Sequence, residues 1–429
     1  MNRRNRLPAA APPRNPPHRP DWSSEVCIFI ISLAIPVICF LIASYKQAYS
    51  RQDSAGIVSE VFHFPESFVR DYERVERDLK VYIYPDRDPG GYFQSPTELT
   101  GIYGSEAYFF KNIKESRFLT TDPLQAHLFF IPISWHQMRG THCEKMTSIV
   151  ENYVESIISK YPYWNRTQGA DHFFVICHEI GVEVADGVPF LKKNPIRLVC
   201  PATHDAHYIP FKDIPLPQVN QSFSHAIDER MKSGFWERIP NSEIKATLES
   251  LWENDSEPDI QNNLMFTAEG YLLFHHKVYG TKFCICPHGF PPDSALIADS
   301  IRYGCVPVIF SSYLNFPFND VLDWHKFSII LAEEDVHLLK DTLEGIQGAN
   351  FTRFQNNLLK VQKHFEWNSP PLRFDAFHMV LYDLWLHQFY QPESLLEIFL
   401  LYPGKLLMVS AAISMCIMAC MWKFVLNLP

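Results

Sequence analysis

Short apolar runs alternate with stretches of helical spacing along residues 79–201, and the alternation resumes along 281–346. LKVYIYP (79–85), AHLFFIPIS (126–134), HFFVIC (172–177) and PIRLVCP (195–201) read as strands. They are rich in β-branched and aromatic residues and lack polar alternation, as expected of strands covered on both faces. SEAYFFKNIKES (105–116), with Ser105 as its N-cap, and residues 143–160 read as helices. Strand, helix, strand in succession predicts a parallel sheet with helices on its two faces. FKDIPLPQV (211–219) reads as a proline-spaced connection, and 220–270 is polar with one helix expected at 242–254. TKFCICP, PDSALIADSIRYG and CVPVIF then repeat the pattern, followed by a strand at 327–332 and helices at 333–346, 352–367 and 371–390. The expected fold class is α/β, in two units, 76–215 and 216–390. No short fixed-period repeat interrupts them.

Composition narrows the function classes. A chain of 429 residues can bury two cores, and 47% hydrophobic against 20% charged residues excludes general disorder. A net charge of -10 argues against a general nucleic-acid binder. Neither G-x-G-x-x-G nor G-x-x-x-x-G-K-[ST] occurs, so the common glycine-rich phosphate loops are absent from the sequence.

The ends point to a membrane. Residues 1–25 are rich in Pro and Arg and cannot bury a core. VCIFIISLAIPVICFLIASY (26–45) follows, uncharged and long enough to cross a hydrocarbon layer of about 30 Å. Arg3, Arg4, Arg6, Arg14 and Arg19 precede it, while Lys46 and Arg51 follow closely. The bias leaves the N-terminus in the cytosol and sends the bulk across, as a signal anchor does. Residues 46–75, polar and mixed, read as a stem. Within the C-terminal tail 391–429, LLMVSAAISMCIMACMW (406–422) reads as a second span or as a tail packed on the membrane or the protein. The N-x-[ST] triplets begin at Asn165, Asn220, Asn254 and Asn350, all outside the cytosolic tail, and mark expected glycosylation sites. Cys143, Cys177, Cys200, Cys284, Cys286 and Cys305 fall in the body without the C-x-x-C spacing of a zinc site. One or two disulfides fit an oxidising lumen, with the pairing open.

The stretch TKFCICPHGFPPDSALIADSIRYGCVPVIF (281–310) is where chemistry concentrates. It reads as strand, loop with His288 and Gly289, helix capped by Asp293 or Ser294 and stopped at Gly304, then strand. A helix N-terminus at the carboxyl end of a parallel strand offers free N–H groups to a diphosphate. Asp299, one turn in, can accept sugar or ribose hydroxyls. An ordinary α/β unit with no ligand is the competing reading. Asp86-x-Asp88 has the spacing of a metal-binding pair but sits in a Pro/Gly turn, where solvated carboxylates are expected.

KVYIYP, LTGIYGSEAYFFKNIKESRFLTTDPLQAHLFFIPIS, ADHFFVICHEIG, FKDIPLP, TKFCICPHG, DSIRYGCVPVIF, PFNDVLDWHKFSIIL and VQKHFEWNSPPLRFDAFHM follow in order over most of 79–390. In these stretches the chain resembles the exostosin-like glycosyltransferases, family 47, in their plant form. The resemblance implies two facing Rossmann-like domains (GT-B type) behind an N-terminal anchor, in a single-pass type II protein of the Golgi membrane. It implies inverting transfer from a nucleotide sugar, a UDP-sugar, to a cell-wall polysaccharide or glycoprotein glycan, with no obligatory metal or other cofactor. Partners are then the donor, the glycan acceptor, the Golgi membrane and other transferases, with no nucleic acid.

Inverting transfer needs a base for the acceptor hydroxyl and stabilisation of the leaving diphosphate. His178 and Glu179 follow directly on the strand HFFVIC, at the end of a strand where active-site loops gather, and match the family's polar or acidic pair. Glu179 is the expected base and His178 an acceptor contact. The donor is expected at His288, Gly289, Ser294, Asp299 and Arg238. Tyr103 and Glu106 in GIYGSEAYF, and Asp375 and His378 in RFDAFHM, also match the family; the first pair reads as a brace of the first helix, the second as part of the last packed helix. Two departures stand out: Leu296 where the family carries an arginine, and Glu237 and Pro240 in ERMKSGFWERIPNSEIK (229–245) where it carries small residues. They define the alternative, a catalytically weakened relative that binds glycans or scaffolds partner transferases.

Overall fold

The computed structural model describes residues 59–85, 92–93, 104–138, 140–177, 179–200, 208–210, 212–219, 247, 282–286, 294–310 and 315–389, all within the compact unit Val58–Pro429. The anchor 26–45, the stretch 406–422, the segment 229–245 apart from its neighbour Thr247, and Asp86 with Asp88 lie outside the described residues. Among the described residues, no helix is long and apolar enough to cross a membrane.

The described chain opens with helix α1 (Pro65–Asp78), in which Pro65 occupies the first turn and Phe68, Tyr72 and Val75 are buried. Spacings of four and three put those residues on one stripe. The polar composition of 46–75 conceals this helix, because its outer face carries the charges. The first sheet contains β1 (Val81–Ile83), β2 (Leu119–Thr120), β3 (Leu128–Phe130), β4 (His172–Ile176), β5 (Ile196–Val199) and β6 (Ile214–Pro215). Their order is β2-β1-β3-β4-β5-β6, and every pairing is parallel. Helices α2 (Gly104–Glu115), α3 (Cys143–Lys160), α4 (Glu179–Gly187) and α5 (Pro189–Lys193) fall between the strands.

Strands β3, β4 and β5 are buried along their whole length. Two polar residues, His172 and Arg197, lie within them, and each is satisfied inside the core; for His172 the partners are aromatic and acidic. Its ring stacks on Phe129 with centroids 4.9 Å apart, and its nitrogens lie 2.7 Å from Tyr84 Oη and 2.7 Å from Asp171 Oδ1. Strand β6 lies within the stretch expected to be a connection. Ile214 pairs with Leu198 at the edge of the sheet among the described strands, where a proline's missing donor is tolerated. Arg197 on β5 is itself buried and bonds Asp213 through Nε at 2.9 Å and Asp186 through Nη1 at 3.0 Å, tying β5 to the turn before β6 and to α4.

The second sheet is β7 (Phe283–Cys286), β8 (Val306–Phe310) and β9 (Ile329–Leu331), in that order and parallel. Between β7 and β8 runs α6 (Ser294–Tyr303). It ends as the sequence predicts: Gly304 takes φ +77°, its N–H bonds Ile301 O, and Cys305 N–H reaches back to Ser300 O. Those two bonds are the Schellman ending that favours glycine. The stretch expected as one helix at 333–346 is split into a 3-10 segment, Glu333–Leu338, and α7 (Leu339–Gly345). Helix α8 (Ala349–Phe365) packs on α6 and β8, and α9 (Ala376–Phe389) then returns to the first sheet, against α1, α2 and β6. α9 begins five residues after the expected start at 371. The reason is Asp375, whose carboxylate accepts from His378 N at 3.1 Å and from Leu372 N at 2.8 Å, so it caps the helix instead of entering it.

Disulfides join Cys177 to Cys200 and Cys284 to Cys305. Each closes one strand–helix–strand unit, the first at the carboxyl ends of β4 and β5. Among the described cysteines, Cys143 and Cys286 are not joined in a disulfide.

Candidate active site

In the first sheet the strand order reverses at β1: β2 lies on one side, and β3 with its successors on the other. Loops leaving the carboxyl ends of strands diverge at such a point, and ligands of open α/β sheets bind there. Glu106, Ser134, Trp135 and Cys177 cluster at this edge. Glu106 stands in the first turn of α2 and is fully buried. Its Oε1 accepts from Ser134 Oγ at 3.0 Å, and the backbone amides of Trp135, His136 and Cys177 turn toward the same carboxyl. Burial pushes Glu106 up to about 8, against the opposing pull of Ser134 and the three amides. The neutral acid is therefore its main form at neutral pH.

The chain leaving β4 is held from several sides. Cys177 carries the disulfide to Cys200. Trp135, buried beside it, donates its indole N–H to Val175 O at 2.6 Å. Gly181, in the first turn of α4, leaves room for that indole: a Cβ there would lie 2.8 Å from Trp135 Cδ2 and 2.9 Å from Ile176 Cγ2. Glu179 opens α4 between these two fixed points, Cys177 and Gly181. His178 lies outside the described residues. Segments so pinned on a packed scaffold are where reacting groups are held to tolerance.

Ser105 departs from its expected role. α2 starts one residue earlier, and the Ser105 hydroxyl, inside the first turn, donates to Pro217 O at 3.0 Å and accepts from Val219 N at 2.8 Å. Trp367 Nε1 bonds the same Pro217 carbonyl at 2.9 Å. The start of α2 is thereby joined to the chain leaving β6 and to the segment before α9.

In the second sheet, Ser294 opens α6, and Asp299 is 7% exposed on the helix beside the buried Ala298, Ser300 and Ile301. His288, Gly289, Asp293, Arg238 and Tyr103 lie outside the described residues. The sites expected at the carboxyl ends of the two sheets thus fall on separate sheets, Glu179 with the first and Ser294 and Asp299 with the second. His378 lies in α9, as its place in the last packed helix predicts, while Asp375 caps that helix from just before it, with His378 Nδ1 3.1 Å from Asp375 Oδ1. Asn165 and Asn350 are exposed, while Asn220 and Asn254 lie outside the described residues. A cavity of about 760 Å³ opens at the opposite, amino edge of β4, β5 and β6, lined by Ala170, Asn194 and Lys212 together with Phe64 and Tyr382.

The burial of Glu106 was available to sequence reasoning. Phe109, Phe110 and Ile113 follow it at three, four and seven residues and are all buried, so a glutamate at that phase is a core carboxyl.

Comparison with known proteins adds an independent line. A family profile described as the exostosin GT47 domain matches residues 75–346. A probable glycosyltransferase of Arabidopsis thaliana is 33% identical over 346 residues, spanning 77% of this chain and 65% of its own. A second probable glycosyltransferase of that plant is 30% identical over 354 residues, spanning 77% and 72%. A probable β-1,4-xylosyltransferase of Arabidopsis thaliana is 26% identical over 348 residues, spanning 71% and 81%. The chain spans just under two thirds of the length of the first of these relatives.

Proposed function

The chain belongs to the exostosin GT47 family of glycosyltransferases, and on that footing we propose that it is an inverting Golgi enzyme moving a sugar from a UDP-sugar to a cell-wall polysaccharide or glycoprotein glycan. Its two parallel sheets are taken as facing Rossmann-like lobes, the first presenting the acceptor and the second the donor. The observation that carries this reading is the position of Glu179. It begins a helix at the carboxyl edge of the first sheet, on a segment pinned by Cys177 and Gly181.

In the proposed step Glu179 takes the proton of the acceptor hydroxyl. The freed oxygen bonds to the anomeric carbon from the face opposite the diphosphate, and the bond from that carbon to the β-phosphate oxygen breaks, which inverts the configuration. UDP leaves with the electron pair, its charge resting on the N-terminal N–H groups of α6. His178 contacts the acceptor. Ser294, His288 and Gly289 hold the donor phosphates, and Asp299 and Arg238 its remaining polar groups. Placement in the secretory pathway is supported by the uncharged stretch 26–45, the exposed sequons at Asn165 and Asn350 and the two disulfides.

One observation favours a second reading. Leu296 stands near the start of α6 where the family resemblance leads one to expect an arginine, and a diphosphate resting there would lack that positive charge. A weakened relative that holds glycans or scaffolds other transferases would fit that loss. Titration of the full-length chain with UDP, followed by a panel of UDP-sugars beginning with UDP-xylose, separates the two. Binding with turnover upholds the enzyme, and neither binding nor turnover upholds the scaffold.

A further inference from the structure

Among the described residues Glu106 is a carboxyl without a charged partner, in the middle of a packed edge. Its Oε2 has no partner at full hydrogen-bond geometry, while Oε1 is bonded to Ser134, four residues past the end of β3. The amides that turn toward it come from two different exits, Trp135 and His136 after β3 and Cys177 after β4. We propose that Glu106 is a positioning residue for sugar transfer: its buried carboxyl clamps the chain leaving β3 to the chain leaving β4 and so fixes where the segment carrying Glu179 begins. The inference rests on the reading of Glu179 as the base.

A passive brace needs only shape, which a glutamine or leucine supplies. A carboxylic acid adds a proton that can leave. When it does, a full negative charge appears beneath the Glu179 segment, drawing the three amides in and opposing the charge that the base must carry. Among the described residues, the groups that face Glu106 are Ser134 and those amides, and the segment that supplies two of the amides carries the titratable His136. In sequence the chain past Cys177 continues with the titratable His178 and Glu179. Burial holds the proton on Glu106 to about 8, so the clamp is neutral in mildly acidic and neutral solution and charged in alkaline solution.

The test uses the full-length chain as wild type, Glu106→Gln and Glu106→Ala. Amide exchange, corrected for intrinsic rates, is followed in 131–138 and 177–187 at about pH 6 and about pH 9, on either side of the carboxyl's titration. Glu106→Gln is expected to match wild type at the lower pH and to keep its protection at the higher, where wild type changes. Glu106→Ala is expected to lose protection in both segments while α8 stays protected. In transfer assays with the donor selected by the UDP-sugar panel, Glu106→Ala should lower kcat about tenfold to a hundredfold with donor KM nearly unchanged. Glu106→Gln should restore kcat and lack the alkaline fall.

Unchanged protection and kcat in a folded Glu106→Ala, or the same alkaline behaviour in wild type and Glu106→Gln, overturns the proposal. Should Glu106→Ala fail to fold, wild type against Glu106→Gln at the higher pH decides alone. Absence of transfer by wild type overturns the functional reading, and the exchange measurements still judge the clamp by themselves.

Discussion

The proton that an acceptor hydroxyl loses must go to one particular oxygen, and removing that oxygen while keeping its shape identifies it. Glu179→Gln is expected to lower kcat about 10²- to 10⁴-fold while UDP affinity, read by calorimetry, stays nearly unchanged. Turnover equal to wild type would take the role away from this residue. Asp299→Ala is expected to weaken UDP-sugar binding without unfolding the protein, and equal affinity in the variant would discard its donor role. At this scale the sequence was uneven. Glu179 and Asp299 could be singled out because each stands at the start of a helix or one turn into it, after an apolar strand. By sequence alone Glu106 reads only as a brace, although its phase with Phe110 and Ile113 marks it as buried. What phase cannot supply is the convergence on it of Ser134 and Cys177, which are distant in sequence and meet only once the strands pair.

Among the elements, α4 is the one whose start bears on chemistry. Gly181→Ala would gain about 1 kcal/mol of helix propensity, yet the added Cβ meets Trp135 and Ile176 below 3 Å. Overpacking of that kind costs about 1–3 kcal/mol. The expected result is a lower melting temperature together with a lower kcat, and a more stable variant would show that the indole yields freely. Strong local signals are legible in the sequence: α3 begins and ends where its periodicity does, at Cys143 and Lys160, and α6 stops at Gly304. Weak or hidden ones are not. β6 contributes two residues, one of them proline, so no run of apolar residues announces it. α1 is hidden because its charged outer face dominates its composition. The late start of α9 depends on a cap, Asp375, flanked by residues that continue the helical pattern on paper.

For the molecule as a whole, the buried titratable groups set a pH window. His364 is buried, donates Nδ1–H to Phe374 O at 2.8 Å, and is pushed down to about 3 by burial. The folded chain therefore binds fewer protons there than the unfolded one, and stability falls as pH drops from about 6.5 toward 3. Glu106 has the opposite sign. Raised from 4.5 to about 8, it keeps a proton that the unfolded chain releases, so stability falls as pH rises through that interval. Asp383, raised by burial and by Asp320, acts in the same direction. Thermal melts across pH are expected to peak in mildly acidic buffer, with a shallower alkaline decline in Glu106→Gln. A decline as steep as that of wild type would contradict the assignment. The docking of α9 on α1 has a consequence for biogenesis. Tyr72 receives its hydrogen bond from Phe374, 302 residues later. At roughly 5–20 residues per second, the aromatic stripe of α1 waits roughly 15–60 seconds after translation for its cover. For that interval a nascent lobe exposes Phe68 and Tyr72, and a chaperone that shields such rings would govern how much of the chain matures.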